Sequence, residues 1–154
     1  MELNLVNILI LIATFCFMEF MAWFTHKYIM HGFLWYLHKD HHEPHNHFFE
    51  KNDAFFLIFA IPSSLCMVTG IINQDFRLYI GVGIALYGLA YFFVHDIIIH
   101  QRFKILTKWN HPYVLAIRRA HKIHHKHLGK EHGENFGMLI VPIKYFKMLK
   151  ESQK

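Results

Sequence analysis

Residues 3–42 read LNLVNILILIATFCFMEFMAWFTHKYIMHGFLWYLHKDHH. Two signals share this stretch, and together they decide the fold. The first is an apolar run from Leu3 to Phe24, interrupted mainly by Asn4, Asn7 and Glu19. At 1.5 Å per residue it spans about 33 Å, enough for the hydrocarbon core of a bilayer. It lacks the basic start and small-residue cleavage site of a secretory signal, so a retained anchor is expected. The second signal follows at once: five histidines between His26 and His42.

Outward from this stretch the apolar pattern repeats. Ala54–Ile72 is a second run, with Pro62 inside it, and Asn73-Gln74-Asp75 reads as a polar turn. Leu78–Val94 is a third run, continued by His95, Asp96 and Ile97–Ile99. A chain of 154 residues could hardly bury three such helices in a water-soluble core. The composition agrees: 54% hydrophobic, 17% aromatic and only 18% charged residues exclude disorder. The two cysteines, Cys16 and Cys66, sit inside apolar runs, which excludes a disulfide scaffold.

The net charge of +5 is unevenly placed. Lys27, Lys39 and Lys51 lie between the first two runs. Arg102, Lys104, Lys108, Arg118, Arg119, Lys122 and Lys126 follow the third, whereas only Arg77 marks the turn between runs two and three. The positive-inside rule then puts the N-terminus outside and the C-terminus in the cytoplasm, so a reporter at Lys154 is expected inside the cell. Runs two and three form a hairpin based on the cytoplasmic side, near the lower length limit for a full crossing. Pro112 starts a helix carrying Arg118, His121, His124 and His125, and Gly129 and Gly133 break the chain after it. Phe136–Leu149, with Lys144 and Lys147, reads as an interfacial segment. The expected fold class is an all-α membrane protein: three to four transmembrane or membrane-embedded helices with a cytoplasmic histidine-rich helical cap, as one domain over 1–154. Basic residues beside membrane segments make a nucleic-acid partner untenable.

The 15 histidines follow a grammar. His26 and His31 form H-x4-H, and His38, His41 and His42 form H-x2-H-H. His95 and His100 repeat the first phrase, and His121, His124 and His125 repeat the second. On an α-helix, positions i, i+3 and i+4 fall within about 100° of arc, so each trio would offer three imidazoles to one metal. Positions i and i+5 lie about 140° and 7.5 Å apart, so H-x4-H needs a helix end, a kink or ligation of different metals. His45, His47, His111, His127 and His132 stand outside the phrases and read as surface residues.

Ten patterned histidines exceed the needs of one metal, and two metals sharing about five imidazoles each is the natural count. Imidazole suits Zn, Cu, Fe and Ni. The H-E-x-x-H of zinc proteases is absent, as are the paired cysteines of zinc fingers. All-nitrogen ligation is compatible with iron. Asp40 beside His41 and Asp96 beside His95 are expected to accept the second ring N–H of a ligand, Asp40 alternatively serving as a helix-end cap. Glu19 pairs within the bundle or lines a path. Phe55, Phe56, Phe59, Tyr91, Phe92 and Phe93 either line a substrate channel or face lipid. A non-catalytic metal binder or transporter would want polar groups distributed through the spans, which offer only Glu19 and Asp96.

The four boxes, with their surroundings HKYIMHG from His26, LHKDHH from Leu37, HDIIIHQRF from His95, AHKIHHK from Ala120 and the tail GENFGMLIVPIKYF ending at Phe146, resemble the bacterial β-carotene hydroxylase branch. That branch belongs to the membrane fatty-acid hydroxylase/sterol desaturase superfamily. The resemblance runs from about His26 to Phe146. It implies a di-iron centre on the ten patterned histidines and O2-dependent hydroxylation at C3 of the β-ionone rings of β-carotene. The products would be β-cryptoxanthin and then zeaxanthin. It also implies an external electron donor of ferredoxin type and residence in the bacterial inner membrane. Another carotenoid, a fatty acid or a sterol is the alternative substrate. No dinucleotide fingerprint occurs in the chain, so electrons must come from a partner.

Overall fold

The structure, a computed structural model, describes residues 3–43 and 47–151. His45 and Lys154 therefore lie outside the described residues. The described chain is helical, with no strand among them. Helix α1 (Leu5–Phe24) opens with the Asn4 side chain accepting from the Asn7 N–H at 2.9 Å. It runs on as a π-helical segment, Thr25–Phe33, until the backbone breaks at Gly32. Helix α2 (Trp35–His42) follows. A short 3-10 turn, Lys51–Phe55, leads into α3 (Phe56–Asn73). Gln74, in the left-handed region, ends α3, and Asp75 pairs with Arg77 at 2.5 Å, so the expected turn closes where the polar residues stand. Helix α4 (Arg77–Phe92) continues as a second π-helical segment, Phe93–Ile99. Helices α5 (Pro112–Lys126) and α6 (Ile143–Glu151) complete the chain.

Three helical stretches are long and apolar enough to cross a membrane: Leu5–Phe33, Lys51–Asn73 and Arg77–Ile99. The last two have 23 residues each, longer than their apolar runs, because the 3-10 turn and the π segment extend them. Their outward faces carry large exposed apolar side chains, among them Ile12, Phe17, Ile61, Leu65, Val68 and Leu89. A face of this kind is stable against lipid and unstable against water. Phe56, Phe92 and Phe93 belong to it, whereas Phe59 and Tyr91 pack inward beside Tyr87 and Phe55 is buried.

Within the bundle α4 packs on both α3 and α1, and small residues set the spacing. A Cβ at Gly81 would stand 2.7 Å from the Ser63 carbonyl, and one at Gly83 would stand 2.9 Å from that of Leu11. Glycine lets the backbones approach where lipid offers no hydrophobic drive for association. The Ser63 hydroxyl donates to the Gly81 carbonyl at 2.8 Å across the same contact.

The cap forms at the end of the bundle bearing the π segments. Helix α5 starts at Pro112 as expected, with the His111 ring accepting from the Tyr113 N–H. It buries Val114 and Ile117 against Val94, Ile98 and Met138, and Ala116 and Ala120 against Tyr145 of α6. One expectation needs correction. The chain from Phe136 to Leu149 is not a single interfacial segment, since only Ile143–Glu151 is helical. The stretch before it is drawn inward to Glu19 of α1, whose carboxylate accepts the N–H groups of Met138, Leu139 and Ile140 at 2.9–3.0 Å. The Tyr87 hydroxyl donates to the same carboxylate at 2.6 Å. A carboxylate in a span is costly unless paired, and an irregular backbone needs acceptors; each satisfies the other.

Candidate metal centre

Nine of the ten patterned histidines fall into two compact groups among the described residues, and the tenth touches the second. The first nest is His26, His31, His38, His42 and His124; the second is His41, His100, His121 and His125. Within each nest the ligand-capable atoms lie within 4.8 Å of one another. His95 joins the second through its Nε2, 3.2 Å from that of His41.

The π segments solve the spacing problem of H-x4-H. Their hydrogen bonds run from residue i+5 to residue i, as from the His100 N–H to the His95 carbonyl at 2.9 Å. Residues five apart therefore stand one above the other instead of about 140° apart. His26 and His31 meet in one nest for this reason.

The H-x2-H-H trios behave differently from expectation, and that reading is corrected. Neither trio keeps to one nest. His38 and His42 turn to the first nest while His41 turns to the second; His121 and His125 turn to the second while His124 turns to the first. Positions i and i+4 lie only about 40° apart, whereas i+3 lies on the far side of i. Helices α2 and α5 each stand between the nests and feed both in reciprocal fashion.

The ring nitrogens decide what a nest can hold. In the first, every Nδ1 faces a neutral acceptor: the Phe136 carbonyl for His26 (3.1 Å), that of Lys130 for His31 (3.0 Å) and that of His127 for His42 (3.1 Å). His124 uses the Glu134 carbonyl (3.0 Å) and His38 the Asn52 Oδ1 (2.7 Å). A carbonyl only accepts, so Nδ1 carries the proton and Nε2 of the neutral ring is a bare lone pair. Yet the Nε2 atoms point at one another: 3.1 Å from His26 to His38, 3.2 Å from His42 to His38 and 3.3 Å from His31 to His124. Protonation does not relieve this. Burial, reinforced by neighbouring rings, pushes His42 down to about 4 and His38 and His124 down to about 2.

Five converging lone pairs without protons suit a cation. At a metal–nitrogen distance of about 2.1 Å, nitrogens at right angles stand about 3.0 Å apart, close to the 3.1–3.3 Å of the three shortest pairs.

The second nest has the same convergence, with Nε2 of His121 2.8 Å from those of His100 and His125. Burial, again with neighbouring rings, holds His41, His100 and His121 well below the usual histidine range, and His125 falls to about 3. Its backing differs, because carboxylates replace carbonyls. Asp96 accepts from His95 Nδ1 at 3.2 Å, as the sequence led us to expect. Of the two readings of Asp40, the ring-backing one is not found: its Oδ2 accepts the Lys51 N–H at 2.7 Å, as a cap on the end of the 3-10 turn would, and Glu50 stands at His41 Nδ1, at 2.5 Å. Glu50 and Asn52 carry no metal-ligand signal, standing in the polar run Glu50-Lys51-Asn52-Asp53 that opens the 3-10 turn. The Tyr91 ring stacks on His95, with centroids 5.1 Å apart.

Among the described residues the unpatterned histidines stay outside both nests. His47 and His132 are exposed, His111 caps α5, and His127 contributes only its carbonyl.

Residues 11–145 match the family described as fatty acid hydroxylase. The chain is 39% identical over 137 residues to a β-carotene hydroxylase of a Paracoccus species, covering 88% of this chain and 85% of that protein. It is 40% identical over 136 residues to the β-carotene hydroxylase of Pantoea ananas, covering 88% and 78%. It is 36% identical over 129 residues to the chloroplastic β-carotene hydroxylase 2 of Capsicum annuum, covering 81% of this chain and 41% of the plant protein. No solved structure matches the chain.

Proposed function

This chain belongs to the fatty acid hydroxylase family, and from that premise we propose that it is a membrane β-carotene 3-hydroxylase. It converts β-carotene by way of β-cryptoxanthin to zeaxanthin. The carrying observation is the pair of imidazole nests at one end of an apolar bundle, in a chain whose similar relatives bear that name.

Two iron ions are the proposed occupants. His26, His31, His38, His42 and His124 hold one, and His41, His95, His100, His121 and His125 hold the other. Iron cycling between ferrous and ferric states, with O2 and external electrons, supplies the oxidation of an unactivated C–H bond.

The chain supplies the setting for that chemistry. The carbonyls of residues 127, 130, 134 and 136 and the Asn52 oxygen fix five rings in one tautomer, while Glu50 and Asp96 do so for two more. Burial of the first nest excludes water from it. A carotene is wholly apolar and reaches the centre laterally from lipid, where Phe92 and Phe93 are exposed beside His95. The exposed Lys122 and Lys126 of α5 suit an acidic electron carrier of ferredoxin type. The histidine end and the C-terminus face the cytoplasm of a bacterial inner membrane.

Expression in a bacterial host that accumulates β-carotene, with pigment chromatography, tests the reading. Zeaxanthin and β-cryptoxanthin are expected. Replacing His26, His41, His100 or His125 by Ala should abolish both while the protein still inserts. Unchanged β-carotene with the wild-type chain present in the membrane would overturn the assignment.

A further inference from the structure

The two nests differ in what stands behind their rings. Neutral acceptors back all five rings of the first. In the second, two carboxylates from distant parts of the chain back His41 and His95, and both turn their remaining oxygen to one guanidinium. Arg102 Nη2 lies 3.1 Å from Glu50 Oε1 and Nη1 lies 3.1 Å from Asp96 Oδ1. Nη2 also reaches Asp53 Oδ1 at 3.0 Å, and the Arg102 N–H donates to the Asp96 carbonyl at 2.9 Å. The side chains of Arg102, Glu50 and Asp96 are 15%, 9% and 10% exposed. Gln101, at φ 54°, turns the chain back after His100 so that Arg102 meets Asp96.

This fork has a task that a surface ion pair lacks. Two poorly hydrated carboxylates close together repel unless a cation lies between them. A planar guanidinium can hold several oxygens in fixed directions, and an ammonium cannot. His95 brings its Nε2 to that of His41, while its ring lies against those of His100, His121 and Tyr91, and Asp96 is the acceptor at its Nδ1. Asp96 fixes the tautomer and tilt of His95 at Nδ1, and Glu50 does so for His41.

We propose that Arg102 is the positioning residue of the second nest, holding His41 and His95 on the second metal through Glu50 and Asp96, while the first metal is independent of it. This rests on the two-metal reading above.

The test uses the full chain, purified in detergent and loaded with ⁵⁷Fe(II), with iron per chain and the Mössbauer spectrum as readouts. The wild type should hold two irons. Arg102→Gln should hold about one, with one spectral component lost instead of both halved. Glu50→Gln should lose the same component, and it decides the matter if Arg102→Gln fails to insert. Arg102→Lys should bind the second iron about 10–100-fold more weakly. Two irons retained in both Arg102→Gln and Glu50→Gln, or equal loss of both components, would overturn the inference. A wild-type chain that holds one iron would instead overturn the two-metal reading, and this inference with it.

Discussion

At each histidine of the first nest the atom that matters is Nδ1, because its acceptor decides which nitrogen is left for a metal. Asn52 is the one side chain among those acceptors, 8% exposed and 2.7 Å from His38. Asn52→Leu keeps the volume and leaves a buried N–H without a partner, at a cost of about 1–3 kcal/mol. His38 would then rotate or change tautomer, and iron in the first nest should bind about 10–100-fold more weakly. Asn52→Asp keeps an acceptor and should keep the affinity. Competition with a calibrated chelator measures both, and equal affinities for wild type and Asn52→Leu would refute the tautomer argument.

At the scale of elements, the sequence made legible whatever depends on local pattern. Three apolar runs became three spans, Pro112 opened α5, and the repeated phrases named the histidines that converge. What stayed illegible depends on partners far along the chain. Whether His38, His41 and His42 meet one metal or two is set by how α5 is rotated about its axis, and α2 holds no record of that. The π turns follow from the same demand, since they bring His26 and His31 together where an α-helix would separate them. Glu19 is the clearest case, because the three amides it accepts lie 119–121 residues away and its Tyr87 partner 68. It pins the irregular segment whose Phe136 carbonyl orients His26. Glu19→Ala leaves three amides without an acceptor, at about 1–3 kcal/mol each. Exchange of the Met138 and Leu139 amides should rise at least about tenfold, the equivalent of about 1.4 kcal/mol. Iron in the first nest should weaken alongside. Unchanged exchange, followed by mass spectrometry in detergent, would show that the segment is held by packing alone.

For the whole molecule, the question is which side of the membrane the centre faces, and the proposed cytoplasmic orientation rests on charge. The end bearing the nests carries Lys39, Lys51, Arg102, Lys104, Lys108, Lys122 and Lys126. At the opposite end the turn offers Arg77, whose charge is matched by Asp75 at 2.5 Å. Short loops rich in Lys and Arg remain on the cytoplasmic side during insertion, and acidic residues contribute little to that choice. The polarity also suits the proposed chemistry, in which a soluble donor would reach the nests from the cytoplasm and an apolar substrate from lipid. A phosphatase reporter inserted at Gln74 should therefore be active outside the cytoplasm, and a fluorescent reporter at the C-terminus should be bright within it. Adding three lysines to the Gln74 turn should push part of the population into the opposite orientation and lower zeaxanthin yield in proportion, because inverted molecules lose their donor. An active phosphatase at the C-terminus of the unmodified chain would reverse the topology and place the nests, with their electron supply, on the other face of the membrane.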